Sequence, residues 1–248
     1  VLISDLIDDM QDINDAAWAP FFNRNSAPTG DLARQISSTD LIVNFLPDAD
    51  DVFSQNLRSL TAGTVLSYSP HPLEDGSIHI VDHLLAAICP LDIETTTQPI
   101  VSFADSIGLP DDIITPYAVM HPGSGGMNKI WPLERFAEVS QELAKGLQVV
   151  VSVGPADEHI TSGMKHLLPD IQIVGPQTLP QLASFLQTAS LYIGNDSGPS
   201  HIAAAVGTPT VAIFGPTDSR IWSPRGQKVS IVEARRSIPR AKRLESIT

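Results

Sequence analysis

The sequence predicts an α/β protein built on parallel β-sheets. Short apolar runs alternate with segments of helical periodicity along almost the whole chain, and this alternation is typical of βαβ units. Hydrophobic residues make up 42% of the chain and charged residues 17%, which is a globular composition. No apolar run reaches the ~18–20 residues that a membrane-spanning helix needs. The 248 residues are enough for two modest domains.

Two strand–helix units are predicted in the first half. Residues 41–45 (LIVNF) form an apolar run typical of a buried strand, and residues 50–60 carry apolar side chains at helical spacing. Residues 65–68 predict a second strand, and residues 79–88 predict a second helix that Pro90 ends. The chain opens within an element, so we expect residues 1–115 to form an incomplete Rossmann-like domain.

A self-sufficient doubly wound domain is predicted over residues 116–248. It follows segment 92–116, whose prolines and weak periodicity are typical of a linker. Six predicted strands then alternate with four predicted helices, as in a Rossmann-like sheet. The strands are residues 117–121, 147–153, 171–174, 191–194, 210–214 and 229–232, and the helices are residues 132–145, 157–168, 179–188 and 198–206.

Charge is distributed unevenly between the two halves. The chain has 15 basic and 28 acidic residues, a net charge of −13. Residues 1–116 hold 18 acids and three arginines, or −15, whereas residues 117–248 hold 10 acids and 12 bases, or +2. We expect no nucleic-acid partner, because binding to a phosphate backbone relies on many Lys and Arg contacts. Only the second half favours an anionic small molecule.

The loop over residues 121–132 has the composition of an anion-binding loop. In HPGSGGMNKIWP, the glycines let the backbone approach a ligand and turn successive N–H groups inward. Lys129 adds a positive charge beside them. The residue order is not that of a P-loop. At this point phosphate binding and a plain glycine loop with a surface lysine are both open.

A second candidate lies in residues 194–209, GNDSGPSHIAAAVGTP. Asp196 or Ser197 is expected to cap the helix that follows. The N–H groups at the start of that helix, together with its dipole, would attract a phosphate. His201 lies one turn further along. An ordinary capped helix with a partly buried histidine is the alternative.

Together these segments resemble the heptosyltransferases, glycosyltransferase family 9. The matching segments are HPGSGGMNKIWPLERFAEV, VVVSVGPADE, YIGNDSGPSHIAAAVGTPTVAIFGPTD and Trp222-Ser223-Pro224, which cover most of residues 117–225. The first half matches more loosely, through DLIVNF and HIVDHLLAAI. The resemblance implies a GT-B fold of two Rossmann-like domains. The first would be the acceptor side, incomplete here, and the second would bind the donor.

The resemblance also implies roles for single residues. Members of the family bind a nucleotide-diphosphate sugar, usually ADP-heptose. The positions that match contacts to the donor's phosphates and sugar are Ser124, Gly125, Lys129, Asp196, Ser197, Gly198 and His201. Glu158, or Asp157 as second choice, matches an acidic position that meets the nucleoside ribose.

The reaction implied is transfer of a heptose, with inversion at C1, to a lipopolysaccharide-type or other glycan acceptor. Negative charge then grows on the leaving diphosphate, and a lysine with helix N-termini can stabilise it, so neither cofactor nor metal is expected. The family's general base is an aspartate near a glycine-rich first turn. This sequence lacks that turn, so we expect the base upstream of Val1. The alternatives are a nucleotide-sugar-binding protein without transferase activity and a GT-B nucleotide-sugar epimerase.

Two patterns resemble metal sites but have simpler interpretations. Asp48 and Asp50 form an Asp-x-Asp pair of the kind that can bind Mg²⁺, yet their place before a predicted helix favours capping. His79 and His83 have the spacing of a zinc pair without an evident third ligand. Packing or surface roles are therefore expected for both histidines.

The last features concern location. A basic cluster near the C-terminus is expected to be a solvated tail, with contact to anionic lipid as the alternative. It consists of Arg235, Arg236, Arg240, Lys242 and Arg243. The single cysteine, Cys89, excludes an internal disulfide and is compatible with the cytoplasm. We expect a cytoplasmic protein, with the inner membrane surface as a further site, and we expect Cys89 in the core.

Overall fold

The computed structural model describes residues 7–24, 26–73, 75–98, 101, 112–235 and 237–248. Its contacts divide the chain into two compact units, one formed by Asp5–Thr97 and the other including Gln98–Thr248. Ile113, within the predicted linker, is buried with Tyr117 in the core of the second unit. Residues 99, 100 and 102–111 of the linker lie outside the described residues, and the domain boundary between residues 115 and 116 stays a prediction.

The first unit contains a parallel pair of strands, β1 (Leu41–Asn44) and β2 (Thr64–Ser67). The helix α2 (Val52–Leu60) connects them, α1 (Asp31–Ser37) precedes β1, and α3 (Ile80–Ala86) follows β2. Both predicted strands and both predicted helices are confirmed to within a few residues. The sequence pattern missed α1, a helix of two turns that buries two apolar side chains, because so short a segment shows little periodicity.

Aromatic side chains form the core of the first unit. Phe21, from a 3₁₀ helix over Ala16–Phe22, is fully buried beside Phe53, and Trp18 packs against both. Phe22 is half exposed, and its ring stacks on Phe53 with centroids 4.6 Å apart. The expectation that Cys89 lies in the core is wrong: the residue is exposed, because it begins a separate 3₁₀ turn after α3 has ended.

Asp48 anchors the start of α2. Its carboxylate accepts hydrogen bonds from the backbone N–H groups of Phe53 and Ser54 at 3.1 and 2.8 Å, and from Ser54 Oγ at 2.6 Å. Burial raises the pKa of Asp48, but these hydrogen bonds outweigh it, and the net pKa lies below its ordinary value. The predicted capping role of the Asp-x-Asp pair therefore belongs to Asp48. Asp50 is exposed and lies 3.6 Å from Arg24.

The second unit is built on a six-stranded parallel sheet in the order β5-β4-β3-β6-β7-β8. The strands are β3 (Tyr117–His121), β4 (Gln148–Ser152), β5 (Gln172–Val174), β6 (Leu191–Asn195), β7 (Thr210–Phe214) and β8 (Val229–Glu233). The helices are α4 (Leu133–Leu143), α5 (Glu158–Leu167), α6 (Leu179–Gln187), α7 (Gly198–Ala205) and α8 (Ser219–Trp222). All six predicted strands and all four predicted helices are confirmed; α8, a single turn, was not predicted.

Helices cover both faces of this sheet. Alternate residues of a strand point to opposite faces, and accordingly Met120 packs in one hydrophobic cluster and its neighbour Val119 in another. The Met120 cluster includes buried residues of α4 and α5, and the Val119 cluster includes buried residues of α6 and α7. The predicted doubly wound arrangement is confirmed. None of the helices in the described ranges has both the length and the apolar character needed to cross a membrane.

We expect Asp48→Ala to destabilise the protein by about 1–2 kcal/mol at pH 7, because the first turn of α2 loses its acceptor. The ionised form of Asp48 is the one stabilised, since its folded pKa is lowered. Its contribution is therefore present above the unfolded pKa of about 3.9 and is lost as pH falls through the folded pKa. Urea unfolding at pH 7, and at pH values from 4 down to below the folded pKa, measures both effects.

Asp50→Ala is the matched control, because exposed ion pairs contribute little. Equal losses from the two substitutions at pH 7 would contradict the capping role of Asp48.

Candidate functional site

The sheet order locates the candidate site. Strand order reverses direction between β3 and β6, which are neighbours in the sheet although β4 and β5 separate them in the chain. In open α/β sheets, ligands bind in the crevice beyond the carboxyl ends of the strands at such a switch point. The two segments singled out in the sequence, residues 121–132 and 194–209, begin at the ends of β3 and β6. They therefore meet where the fold favours a ligand.

Asn195 clamps the two segments together. It is the last residue of β6 and is fully buried. Its Nδ2 donates to the carbonyl of Pro122 at 2.6 Å, and its Oδ1 accepts from the backbone N–H of Trp131 at 3.1 Å. One side chain thus holds both ends of the loop after β3. Asn195 was not among the predicted site residues, although a polar residue at the end of a buried strand is a recognisable signal for such a role.

Lys129 is held by a buried carboxylate. Its Nζ donates to Asp196 Oδ2 at 2.8 Å, and Thr217 Oγ1 donates to the same oxygen at 2.6 Å. The Asp196 side chain is 9% exposed and the Lys129 side chain 33%, so the carboxylate is buried while the lysine side chain stays partly accessible to solvent. Thr217 lies in the loop after β7 and was not predicted. The sequence shows Thr217 within the GPTD segment but does not show that it contacts Asp196.

The start of α7 has a different geometry from the one predicted. Ser197 is the N-cap residue, but among the residues that the structure describes its side chain makes no capping bond to the helix; its Oγ donates to Asn195 O at 3.2 Å instead. The expectation that Asp196 or Ser197 caps α7 is therefore wrong, because both side chains are engaged elsewhere. Gly198 is exposed at the first position of the helix. Because Gly198 has no side chain, nothing on that residue covers its backbone N–H at the start of α7.

Ser124 and His201 differ in their surroundings. Ser124 Oγ donates to the carbonyl of Asp196 at 2.9 Å, so the glycine loop contacts the segment after β6 directly. His201 is exposed on α7. Of the seven predicted phosphate and sugar contacts, the structure joins Ser124, Lys129 and Asp196 by hydrogen bonds. The role of each in donor binding stays a prediction.

The buried Asp157 lies against the glycine loop. Its Oδ2 accepts from the backbone N–H of Gly154 at 2.7 Å, and a Cβ added at Gly123 would overlap its carboxylate. A side chain at position 123 would therefore force the Asp157 carboxylate or the loop to shift. Asp157 is engaged inside the protein, whereas Glu158 is exposed in the first turn of α5. Of the two acidic candidates for the ribose, Glu158 is the accessible one.

His121, the last residue of β3, is buried beside this carboxylate. Burial lowers the pKa of His121, and the charge of Asp157 and the hydrogen bond to the Ser152 carbonyl only partly oppose the shift. The imidazole is therefore neutral at pH 7. Since a carbonyl oxygen can only accept, the 2.9 Å contact from Nδ1 to Ser152 O places the proton on Nδ1. His121 joins β3 to the end of β4.

The histidine pattern of the first half has structural explanations. His79 Nδ1 accepts from the backbone N–H of Val81 at the start of α3, and His83 Nε2 lies 2.8 Å from the carbonyl of Ser69. Across the described ranges, no group of three or more His, Cys, Asp or Glu side chains is arranged to hold a metal ion.

The first unit has a cavity of its own. It has a volume of about 520 Å³ and lies where β1 and β2 end. Tyr68, Arg58 and Asp51 line it, and the last two are paired through hydrogen bonds of 3.2 and 3.0 Å. Asp51 has a φ of 56°, a left-handed conformation that is uncommon for a residue other than glycine. Such outliers cluster at binding sites.

The fold and the site define an α/β protein whose second unit has the sheet order and helix-terminus geometry of nucleotide-binding Rossmann domains. The family model for glycosyltransferase family 9 (heptosyltransferase) matches residues 90–247. The chain belongs to this family.

Individual relatives agree with this assignment. Lipopolysaccharide heptosyltransferase 3 of Escherichia coli K12 is 34% identical over 165 residues, which are 59% of this chain and 46% of that protein. The chain spans about half the length of the curated relatives it matches.

Solved structures show the same fold. E. coli heptosyltransferase WaaC with ADP aligns with a TM-score of 0.64 at 18% identity, covering 87% of this chain and 72% of that one. E. coli ADP-heptose LPS heptosyltransferase II aligns with a TM-score of 0.65 at 18% identity, covering 88% and 76%. The predicted GT-B fold class is confirmed.

We expect Gly123→Ala to destabilise the protein by about 1–3 kcal/mol, since the new Cβ overlaps the Asp157 carboxylate and forces the loop away from β4. Gly125→Ala is the matched control, because nothing lies within 4 Å of a Cβ there, and its stability should be unchanged or slightly higher. Thermal unfolding measures both.

Adding Asp157→Ala to Gly123→Ala removes the overlapping group, so the double variant should lose less stability than the two single losses added together. Strict additivity would show that the contact between Gly123 and Asp157 is not the cause.

Proposed function

We propose that the protein is a glycosyltransferase of the heptosyltransferase type. It moves a heptose from a nucleotide-diphosphate donor such as ADP-heptose to a lipopolysaccharide-type or other glycan acceptor, with inversion at C1. The observation that carries this proposal is the linkage of Lys129 to the start of α7 through Asp196, at the switch point of the second sheet. Membership of the family supports the reaction class.

The proposed chemistry is stabilisation of a leaving group. Transfer breaks the bond between the sugar C1 and the diphosphate, and the bonding electrons remain on the diphosphate oxygen. The Lys129 ammonium and the N–H of the exposed Gly198, at the positive end of the α7 dipole, are preorganised donors for that charge. They supply positive charge where other enzymes use a metal ion, and we propose a metal-independent reaction.

Asp196 is proposed to hold Lys129 ready for the donor. A diphosphate and a carboxylate repel each other, so an incoming donor must either share Lys129 with Asp196 or displace Asp196 from it. Because Thr217 donates to the same carboxylate oxygen, Asp196 keeps a partner when Lys129 turns towards a phosphate. Asp196 would then contact the sugar and Lys129 the phosphates. The resemblance alone did not separate these two roles.

The acceptor is proposed to bind in the first unit. The cavity beyond β1 and β2 combines an aromatic ring, Tyr68, with the paired charges of Arg58 and Asp51. An apolar surface with a few oriented polar groups is typical of small-molecule sites, and sugars present both apolar faces and hydroxyl groups.

We further propose that the protein works in the cytoplasm, at the inner surface of the inner membrane. Arg235, Arg240 and Lys242 are exposed near the C-terminus, and Arg236 lies outside the described residues. Clustered basic side chains attract anionic lipid headgroups by about 1 kcal/mol each. A lipid-linked acceptor would be presented at that surface.

We expect the protein to bind ADP and ADP-heptose more tightly than UDP, and Lys129→Met to weaken ADP binding about 10-fold to 100-fold, through loss of a charge-assisted hydrogen bond. Isothermal titration calorimetry measures these constants. The control is Lys145→Met: Lys145 pairs with Glu142 in an exposed position beyond α4. Equal affinities for both variants and the unchanged protein would count against the donor site.

The reaction itself is tested with ADP-heptose and a lipopolysaccharide acceptor, using the product of the intact gene. Transfer predicts release of ADP together with acceptor carrying one additional heptose. ADP-heptose recovered as an isomer would instead indicate an epimerase, and tight binding without turnover would indicate a binding protein.

Replacing Arg235, Arg240 and Lys242 by Gln should weaken binding to vesicles containing anionic lipid on the order of 100-fold, at about 1 kcal/mol for each charge. Vesicle co-sedimentation measures it. The triple control replaces Arg135, Lys145 and Lys165 by Gln, which changes the net charge equally at another place. If both triple variants bind alike, the C-terminal cluster is not a membrane contact.

A further inference from the structure

The second unit also contains a cavity at the opposite edge of its sheet from the proposed donor site. The cavity has a volume of about 390 Å³ and lies between the last turn of α4 and the loop from α5 to β5, where β4 and β5 begin. The donor loops follow the carboxyl ends of the same parallel strands. None of the described residues that line this cavity belongs to the proposed donor site.

Ser140 gives this cavity a hydroxyl without a partner. It lies on the buried face of α4, one turn after the apolar Phe136 and Ala137, and is 2% exposed. In the described part of the chain its Oγ has no hydrogen-bond partner. The unpaired side-chain atoms that are fully buried there belong to Trp18 and Gln177. Ser140 Oγ therefore keeps some accessible surface, in the cavity that the residue lines.

The serine breaks the pattern of its helix face. An unpaired polar group in a mostly buried position costs free energy. Alanine at position 140 would avoid that cost and is the better helix former. Natural proteins break such local rules mainly at functional sites. The Ser140 hydroxyl is therefore available to a ligand that enters the cavity.

The other polar side chains that line the cavity are acceptors and amides. Asp170 and Gln141 are exposed, and neither side chain bonds to another described residue. Gln148 is already engaged, because its Oε1 accepts from the backbone N–H of Ile114 at 2.5 Å and its Nε2 donates to Asp112 O at 3.1 Å. No Lys, Arg or His is among the described lining residues.

The surroundings of the cavity favour a cation. α4 and α5 both end beside it, so the negative ends of two helix dipoles lie there. Lys165 of α5 is engaged, since its Nζ donates to the carbonyls of Pro169 and Ile171 at 3.4 and 2.8 Å. Asp170 carries the one formal charge among the described lining side chains. An anionic ligand is therefore disfavoured.

Apolar side chains complete the lining. Val149 is buried, and Leu168 and Ile171 are half-buried. A cavity of a few hundred cubic ångströms with apolar walls and a small number of polar groups is typical of small-molecule sites. The ligand that fits this lining has a cationic group with hydrogen-bond donors and a short apolar body.

We infer that this cavity binds a small primary amine with a short alkyl body, in its ammonium form. An ammonium has three N–H donors and no acceptor, which matches Ser140 Oγ, Gln141 Oε1 and the Asp170 carboxylate. The alkyl part covers Leu168 and Ile171. The inference concerns a site other than the proposed donor site and does not depend on the proposed function.

The probe is n-butylamine, which is an ammonium ion at pH 7; n-butanol and butyrate are its neutral and anionic analogues. We expect butylammonium to bind with a Kd on the order of 1 mM. It should shift the backbone amide NMR signals of Ser140, Val149 and Ile171. Both analogues should bind at least about 10-fold more weakly, because they lack the charge-assisted hydrogen bonds.

Two substitutions test the residues. Asp170→Asn and Ser140→Ala should each weaken butylammonium binding about 10-fold. Ser140→Ala should leave the thermal unfolding midpoint unchanged or raise it, because the hydroxyl has no partner in the protein, so its loss of affinity does not come from misfolding. The matched control is Glu94→Gln, which removes an exposed acid of the first unit and should keep the full affinity.

The contrary results are equally specific. The inference is overturned if butylammonium does not bind at concentrations up to about 50 mM, or if butanol binds as tightly. Full affinity in both Asp170→Asn and Ser140→Ala would overturn it as well. An equal loss of affinity in Glu94→Gln would do the same, because net charge rather than this cavity would then hold the amine.

Discussion

The buried amide of Asn195 is the constraint on which the candidate site depends. It holds the carbonyl of Pro122 and the N–H of Trp131, so the loop after β3 is closed at both ends by the last residue of β6. Because β3 and β6 are neighbours at the switch point, the Asn195 side chain alone can fix the conformation of the loop after β3. A glycine-rich segment without such a clamp would lose more conformational entropy on binding a ligand.

Electrostatics within the clamped loop follow from what is buried. The Asp196 carboxylate is removed from solvent and is stabilised by a lysine and a threonine, as a buried charge must be. On the other side of the loop, Asp157 lies against Gly123 and the backbone of Gly154. Two buried carboxylates thus contact the loop, and the partly exposed side chain of Lys129 places a positive charge beside it.

Much of the fold could be predicted from the sequence because its elements are strongly periodic. In the second unit the strands are apolar runs that alternate along the chain with amphipathic helices. By contrast, α1 and α8 are too short to show a period. The sequence predicted which loops form the site, and the structure adds the side chains that they contact. That Lys129 meets Asp196, 67 residues further along the chain, follows from strand order, which periodicity does not encode. Asn195 and Thr217 act through such long-range contacts, and the exposure of Cys89 depends on where α3 ends.

The central claim is that Lys129 and the start of α7 hold the same diphosphate. The most direct measurement is a crystal structure of the protein with ADP. We expect the terminal phosphate within hydrogen-bonding distance of Lys129 Nζ and of a first-turn N–H of α7, with Asp196 still bonded to Thr217. ADP bound elsewhere, with the ion pair between Lys129 and Asp196 intact and no phosphate at α7, would contradict it.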